Sequence, residues 1–480
     1  MGINNLIFTF SGIRGIAGKD LNFKTSKKIA IAFGEWFNGD NKKIIIGRDT
    51  RPSGKTLERG IVEGLISTGF NIVNVGVCPT PIIIHAKNKL NIPVGIIITG
   101  SHNPQEWNGL KLLSSKTYLH NEDLEQIARM LDDIDLKTYK ITKRNLKKNI
   151  SKFNPIPNYI QALFKDLNIE SIKKKNNLRV VVDTGAGAGK HATPQMLEGM
   201  GCEVKVINND LIKNKKFPRE IEPIQNNLKD LIMEVWQGKC DVGFAHDCDA
   251  DRLAIIGENG ICYPEDIGLA LIMEHQLKNY EDQTEEVIFI TNLASSSMFD
   301  VIAEKYGARV IKTPIGEIFL VEKMYNLIED RSKTSKNSLI FGGEGSCGGV
   351  MFPSFNITRD GIFAAAKIVE ILADSGEKIS KLVSKLPKFF SYRKRIKIAT
   401  KDVKLIIERI EQELIDEGEI VNQIGYDLKF GKEKEWFVLI HPSNTEPIIR
   451  VISEAKSDSL ARIYCETTTE LIKLVISDLN

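Results

Sequence analysis

Short apolar runs alternate with longer amphipathic stretches along most of the chain, and that alternation leaves few architectures open. Lys43-Ile44-Ile45-Ile46-Gly47, Asn71-Ile72-Val73-Asn74-Val75-Gly76 and Val94-Gly95-Ile96-Ile97-Ile98 read as buried strands, with a helix over 56–68 between the first two. The design then repeats. Residues 179–183, 203–207 and 241–245 read as strands, with a helix over 191–200. After Glu258-Asn259-Gly260, strands over 287–290 and 339–341 mark a third unit. The basic, proline-containing Lys385-Leu386-Pro387-Lys388 precedes a last unit that reads as α+β, with strands over 436–440 and 448–452 and a helix over 457–478. The Lys- and Asn-rich stretch 138–157, ending in Asn154-Pro155-Ile156-Pro157, reads as a linker. At 480 residues, three or four domains are expected.

Composition narrows the functional classes. Lys and Arg total 65 against 62 Asp and Glu, a net charge of +3, which argues against bulk binding to nucleic acid or membrane. Any affinity for anions must come from local sites. The seven cysteines are scattered without CxxC spacing, which points away from a disulfide framework or zinc site and towards a reducing, cytoplasmic setting. Met1-Gly2-Ile3-Asn4-Asn5-Leu6 has no charged n-region and no long apolar stretch, so no secretory signal is expected. No apolar run approaches the ~20 residues of a membrane span.

Four motifs carry chemistry. Ser101 follows the strand ending at Ile98, in Thr99-Gly100-Ser101-His102-Asn103-Pro104, where α/β sheets usually place reacting groups. The bland reading is a Ser/Asn/Pro turn. Asp247-Cys248-Asp249-Ala250-Asp251-Arg252 alternates three carboxylates before a cation. In a plain strand they would repel one another on one face, whereas a tight loop around a divalent cation removes that repulsion, and hard oxygen ligands suit Mg²⁺. Gly343-Glu344-Gly345-Ser346 offers polar groups to sugar hydroxyls, and Pro442-Ser443-Asn444-Thr445-Glu446-Pro447 offers a phosphate cradle. Together they are the parts of a phosphosugar enzyme. A phosphatase of the haloacid-dehalogenase type would carry its DxD early in a domain and not end it in Arg. Thr184-Gly185-Ala186-Gly187-Ala188-Gly189-Lys190 has the look of a phosphate loop, but lacks the four-residue gap before GK and has His191 where Ser or Thr belongs. It reads as a glycine turn after a strand.

In this order the motifs resemble the α-D-phosphohexomutase family, from Ser11 to about Glu454. Ser11-Gly12-Ile13-Arg14-Gly15, Gly47-Arg48-Asp49-Thr50-Arg51, Asn108-Gly109-Leu110-Lys111 and Thr313-Pro314-Ile315-Gly316-Glu317 match further family elements. The resemblance implies three similar α/β domains with mixed sheets sandwiched by helices, plus a smaller α+β C-terminal domain, around a central cleft. The expected bounds are 1–152 for a phosphoserine domain, 153–257 for a metal-binding domain, 258–376 for a sugar-binding domain and 385–480 for a phosphate-binding domain. It implies transfer of phosphate between the 6- and 1-positions of a hexose through a phosphoserine at Ser101, with a hexose 1,6-bisphosphate as intermediate and activator. Mg²⁺ would be held by Asp247, Asp249, Asp251 and the Ser101 phosphate. His102, Lys111 and Arg252 become candidate catalytic groups. Arg14, Glu317, Glu344, Ser346, Ser443, Asn444, Thr445 and Arg450 become candidate substrate contacts. Arg48 and Arg51 either brace the serine loop or bind phosphate. The expected partner is a phosphosugar, on a monomer or homodimer.

Two departures qualify the resemblance. His441 stands where the phosphate loop commonly begins with Arg, which predicts weaker or pH-dependent phosphate binding, with Arg450 or another cation compensating. Cys347-Gly348-Gly349 occupies the region where many bacterial members have a proton-transferring His. These changes motivate a rival, a non-catalytic sugar-phosphate binder. Glu317 is acidic where glucose and mannose enzymes often have His, which favours the amino group of glucosamine phosphate. The expected activity is phosphoglucosamine mutase, with phosphoglucomutase/phosphomannomutase as the alternative.

Overall fold

The β-branched runs form strands whose apolar side chains are buried against flanking helices. The computed structural model describes residues 5–9, 12–167, 169–175, 177–280, 286–330, 338–345, 348–398, 403–443 and 447–479. Two compact units emerge: Met1–Gly268 with Cys347–Leu382, and Leu269–Ser346 with Val383–Asn480.

The first unit opens on a mixed sheet in the order Ile7–Thr9, Gly12–Ile16, Trp107–Leu113, Val94–Ile98, Lys43–Arg48, Asn71–Val77, Ile150–Lys152. The last four run parallel, and Trp107–Leu113 is antiparallel to Val94–Ile98. Ile44, Ile46, Ile96 and Ile98 join Ile29, Phe33, Ile61 and Leu65 from the helices Phe23–Trp36 and Gly54–Ser67 in one buried core. Each such side chain contributes about 1.5–3 kcal/mol. The stretch expected to be a linker instead supplies a helix, Lys143–Lys148, and the edge strand Ile150–Lys152. Ile150 packs against the core, and its Lys-rich neighbours face outward and hide that signal.

A second sheet follows, in the order Ala254–Gly257, Val242–Ala245, Arg179–Asp183, Glu203–Ile207. Its last three strands are parallel and the first antiparallel. The hairpin Gly349–Phe352/Asn356–Asp360 and the helix Gly361–Ser375 also belong to this unit, although they lie about a hundred residues further along the chain. Asp360 caps that helix, accepting from Ile362 N at 3.2 Å and Phe363 N at 2.9 Å.

In the second unit, Arg309–Thr313, Val287–Asn292 and Leu339–Glu344 lie parallel. The C-terminal sheet is antiparallel throughout, in the order Phe390–Lys397, Ile448–Ala455, Trp436–Pro442, Asp427–Lys432, Asn422–Ile424. Helices Val403–Asp416 and Asp458–Asp478 cover one of its faces. Phe437, Leu439 and Ile452 on the other face pack on Leu293 and Ala294. No described helix is long and apolar enough to cross a membrane.

Candidate active site

Two loops at the carboxyl ends of parallel strands build the centre of the first unit. The serine loop follows Val94–Ile98, and its neighbour strand Lys43–Arg48 runs into Asp49-Thr50-Arg51 beside it. Arg51 is fully buried. Its Nε meets Asp49 Oδ2 at 3.2 Å, Nη1 donates to the carbonyls of Pro104 (2.7 Å) and Trp107 (2.9 Å), and Nη2 to those of Ser101 (2.8 Å) and Asn103 (2.6 Å). All five guanidinium N–H groups are used on Asp49 and these four carbonyls, so Arg51 is a brace. Arg48 pairs with Glu58 at 2.7 Å and donates from Nη1 to Asp49 O at 3.1 Å, which braces the neighbouring Asp49 turn. Asp49 Oδ2 also accepts from Thr99 Oγ1 at 2.7 Å, and Thr99 Oγ1 accepts from Ser101 N at 2.8 Å.

This scaffold holds Ser101 at φ +48, a left-handed conformation uncommon for serine. A nucleophilic serine is expected to be exposed, yet Ser101 is 2% exposed. The acidic loop covers it: Ser101 Oγ lies 3.2 Å from Asp247 Oδ2. The same oxygen is 3.3 Å from His102 Nδ1, which accepts from Arg252 Nη2 at 2.9 Å. The charge of Arg252, then burial, holds the His102 imidazole well below its ordinary pKa. Arg14 Nη1 reaches Gly100 O at 2.5 Å and Asn103 Oδ1 at 2.7 Å, and burial lowers its pKa to about 10, so it remains charged at neutral pH.

The acidic loop follows Val242–Ala245, beside the glycine turn that ends Arg179–Asp183. That turn is structural. Ala188 N donates to Cys248 O at 2.8 Å, and a Cβ on Gly187 would sit 2.9 Å from the carbonyls of Asp247 and Cys248. Lys190 pairs with exposed Asp210.

Asp247, Asp249 and Asp251 are buried, and one oxygen from each falls within 4.8 Å of the others. Asp249 Oδ2 is held by Thr80 Oγ1 (2.6 Å) and Lys111 Nζ (2.8 Å). Asp251 Oδ2 is held by Lys111 Nζ (3.1 Å) and Arg359 Nη2 (2.8 Å). The Oδ1 atoms of Asp249 and Asp251 are buried without a hydrogen-bond partner among the described residues. Burial, then the charges of Asp251 and Asp249, push the Asp247 carboxyl well above its usual range. Three crowded hard oxygens with two orphaned atoms fit a small divalent cation. The sequence pointed to the aspartates, Lys111 and Arg252. It missed Arg359 and Thr80, for which no local pattern exists.

The remaining candidates lie in the second unit. Glu344 ends Leu339–Glu344, and its Oε1 accepts from Asn292 Nδ2 at 3.1 Å. Glu317, also buried, opens the helix Glu317–Glu329 after strand Arg309–Thr313, so both carboxylates stand at the carboxyl edge of one parallel sheet. Ser443 N closes its loop on Ile448 O at 2.9 Å. Arg450 lies opposite His441 in the antiparallel pair, and His441 Nδ1 is 2.6 Å from Asp427 Oδ1. Ser11, Ser346, Cys347, Asn444 and Thr445 lie outside the described residues.

Fold and site together define an α/β phosphotransfer enzyme built on a serine loop and a three-carboxylate loop. Residues 5–138, 157–260 and 264–390 match the alpha/beta/alpha domains I, II and III of phosphoglucomutase/phosphomannomutase, and the chain belongs to this family of α-D-phosphohexomutases. A phosphoglucomutase/phosphomannomutase of Thermococcus kodakarensis is 35% identical over 97% of this chain and 98% of its own. A probable phosphoglucosamine mutase of Pyrococcus horikoshii is 30% identical over 98% of this chain and 99% of its own. A phosphoglucomutase/phosphomannomutase family protein of Burkholderia thailandensis shares the fold, with a TM-score of 0.79 at 23% identity over 97% of each chain. The chain is a phosphomutase, an isomerase.

Proposed function

We propose that this enzyme interconverts glucosamine 6-phosphate and glucosamine 1-phosphate through a phosphoserine at Ser101. The observation that carries the site is Ser101 Oγ at 3.2 Å from Asp247, inside a buried cluster of three carboxylates and their cations. Asp247, Asp249 and Asp251 would hold Mg²⁺, which when bound neutralises phosphate oxygens. In each half-reaction the bond from phosphorus to one oxygen, of Ser101 or of the sugar, breaks as the bond to the other forms. The attacking hydroxyl gives its proton to the enzyme, and the departing oxygen takes one back. We assign His102 and Lys111 to proton handling. Arg252 keeps its protons and stabilises the transferring charge. The bisphosphate formed midway reorients and returns its other phosphoryl group to Ser101.

Arg14, Ser443, Asn444, Thr445 and Arg450 are assigned to phosphate, and Glu344 and Ser346 to sugar hydroxyls. Arg450 compensates for His441, its cross-strand neighbour. Glu317 is assigned to the 2-amino group, because a buried carboxylate favours an ammonium over a hydroxyl. The domain bounds 1–152, 153–257, 258–376 and 385–480 are our working division. Six described cysteines carry free thiols, in keeping with a reducing cytoplasm. A second reading, phosphoglucomutase/phosphomannomutase activity, is favoured by the 35% identical Thermococcus kodakarensis relative.

The test is ³¹P NMR of enzyme, Mg²⁺ and trace cognate 1,6-bisphosphate with glucosamine, glucose and mannose 6-phosphates separately. Fastest growth of a 1-phosphate signal from glucosamine 6-phosphate is expected, with Glu317→Gln cutting that preference roughly tenfold or more. Faster turnover of glucose or mannose phosphate would establish the second reading, and no turnover of any sugar would overturn both.

A further inference from the structure

The hairpin Gly349–Phe352/Asn356–Asp360 lies against the acidic loop. A Cβ on Gly349 would stand 2.7 Å from Asp251 O. Its second strand is fixed at several points: Tyr118 Oη meets Thr358 Oγ1 at 3.4 Å, Asn356 Nδ2 donates to Pro81 O at 3.0 Å, and Tyr159 Oη donates to Asp360 Oδ2 at 2.7 Å. Between those anchors, Arg359 aims Nη2 at Asp251 Oδ2, 2.8 Å away. That oxygen is shared with Lys111, while Asp251 Oδ1 is buried without a hydrogen-bond partner among the described residues. Asp249 shows the same division: Thr80 and Lys111 hold Oδ2, and Oδ1 has no hydrogen-bond partner among the described residues.

We infer that Arg359 is a positioning residue for the metal loop: it fixes one oxygen of Asp251 and offsets its charge, so that the other oxygen is presented to the cation. The inference rests on the metal reading given above. Partners outside the ligand set that orient ligating groups are typically worth about 10–100-fold in metal affinity. Arg359 touches neither phosphate nor sugar in this assignment, and acts through Asp251.

The experiment is Mn²⁺ binding followed by EPR of the free ion, on purified wild-type protein, Arg359→Gln and Arg359→Lys, with thermal melting of each to establish folding. Arg359→Gln is expected to weaken Mn²⁺ binding about 10-fold or more. Arg359→Lys, which keeps the charge on a shorter, single-headed donor, is expected to fall between the two. Should Arg359→Gln fail to fold, the lysine variant against wild type carries the test. Wild-type affinity in a folded Arg359→Gln, or in Arg359→Lys, overturns the inference. So does equal loss in both variants, which would make shape rather than a cationic hold responsible. A wild-type protein that binds no Mn²⁺ removes the metal reading itself. Weaker Mn²⁺ binding should also raise the metal concentration giving half-maximal turnover without lowering the rate at saturating metal.

Discussion

The serine loop and the acidic loop are built alike and finished differently. Each follows a parallel strand, and each is braced by the loop at the end of the neighbouring strand. Beside the serine, Arg51 spends all five N–H groups on Asp49 and backbone carbonyls. Among the aspartates, Thr80, Lys111 and Arg359 engage one oxygen of Asp249 or Asp251 and leave the other without a hydrogen-bond partner among the described residues. Both loops contain buried charge, which is costly unless paired. A saturated charge is scaffold. A clustered carboxylate left half-satisfied marks where a ligand belongs.

Four measurements would break or sharpen that contrast. The largest effect is expected at Ser101, the nucleophile proposed above for the braced loop. Ser101→Ala should lower ³¹P-detected turnover by roughly 10³-fold or more with the melting curve unchanged, and substantial residual turnover would move the chemistry elsewhere.

Next is the brace. Arg51→Met strands the carbonyls of Ser101, Asn103, Pro104 and Trp107 and leaves Asp49 buried without its cation. Urea unfolding should show a loss of about 3–5 kcal/mol. A change under about 1 kcal/mol would mean that the loop holds its shape unaided.

His85 tests the rule that unsatisfied means functional. Its Nε2 is buried without a hydrogen-bond partner among the described residues, yet the ring is merely packed against Tyr159 and Phe355. Burial, then the charge of Lys89, pushes its pKa from 6.5 down to about 4. The unfolded chain therefore takes up a proton below pH 6.5 that the folded chain refuses until about pH 4, and stability is lost as pH falls through that window. Asp360, raised from 3.8 to about 6 by burial, acts oppositely, favouring the folded state as pH falls. His85→Phe should thus gain stability relative to wild type between pH 7 and pH 4.5 in urea titrations. A difference independent of pH would show that His85 is not held neutral.

The smallest effect is expected at Lys190, the lysine of the glycine run. Its partner Asp210 is exposed, so Lys190→Ala should change stability by less than about 1 kcal/mol and leave turnover alone. A large loss of turnover would reinstate a phosphate-binding role for that run.

The sequence by itself determined the strands at 94–98, 179–183 and 203–207 and the spacing that places Ser101 and the three aspartates in loops. Those features depend on local periodicity and turn chemistry, which neighbouring residues decide. It misjudged 138–157, where three edge-strand residues are too few to outweigh a polar surround. It also left open whether Arg48 and Arg51 brace or bind, because a guanidinium serves either purpose until its acceptors are known. Only the tertiary structure settled that, buried the serine under Asp247, and brought Arg359 to Asp251 across 108 positions of chain. A lone arginine before a helix-capping aspartate carries no pattern. Its place is fixed by a hairpin whose anchors come from three distant segments, and a contact of that kind exists only once the chain has closed around it.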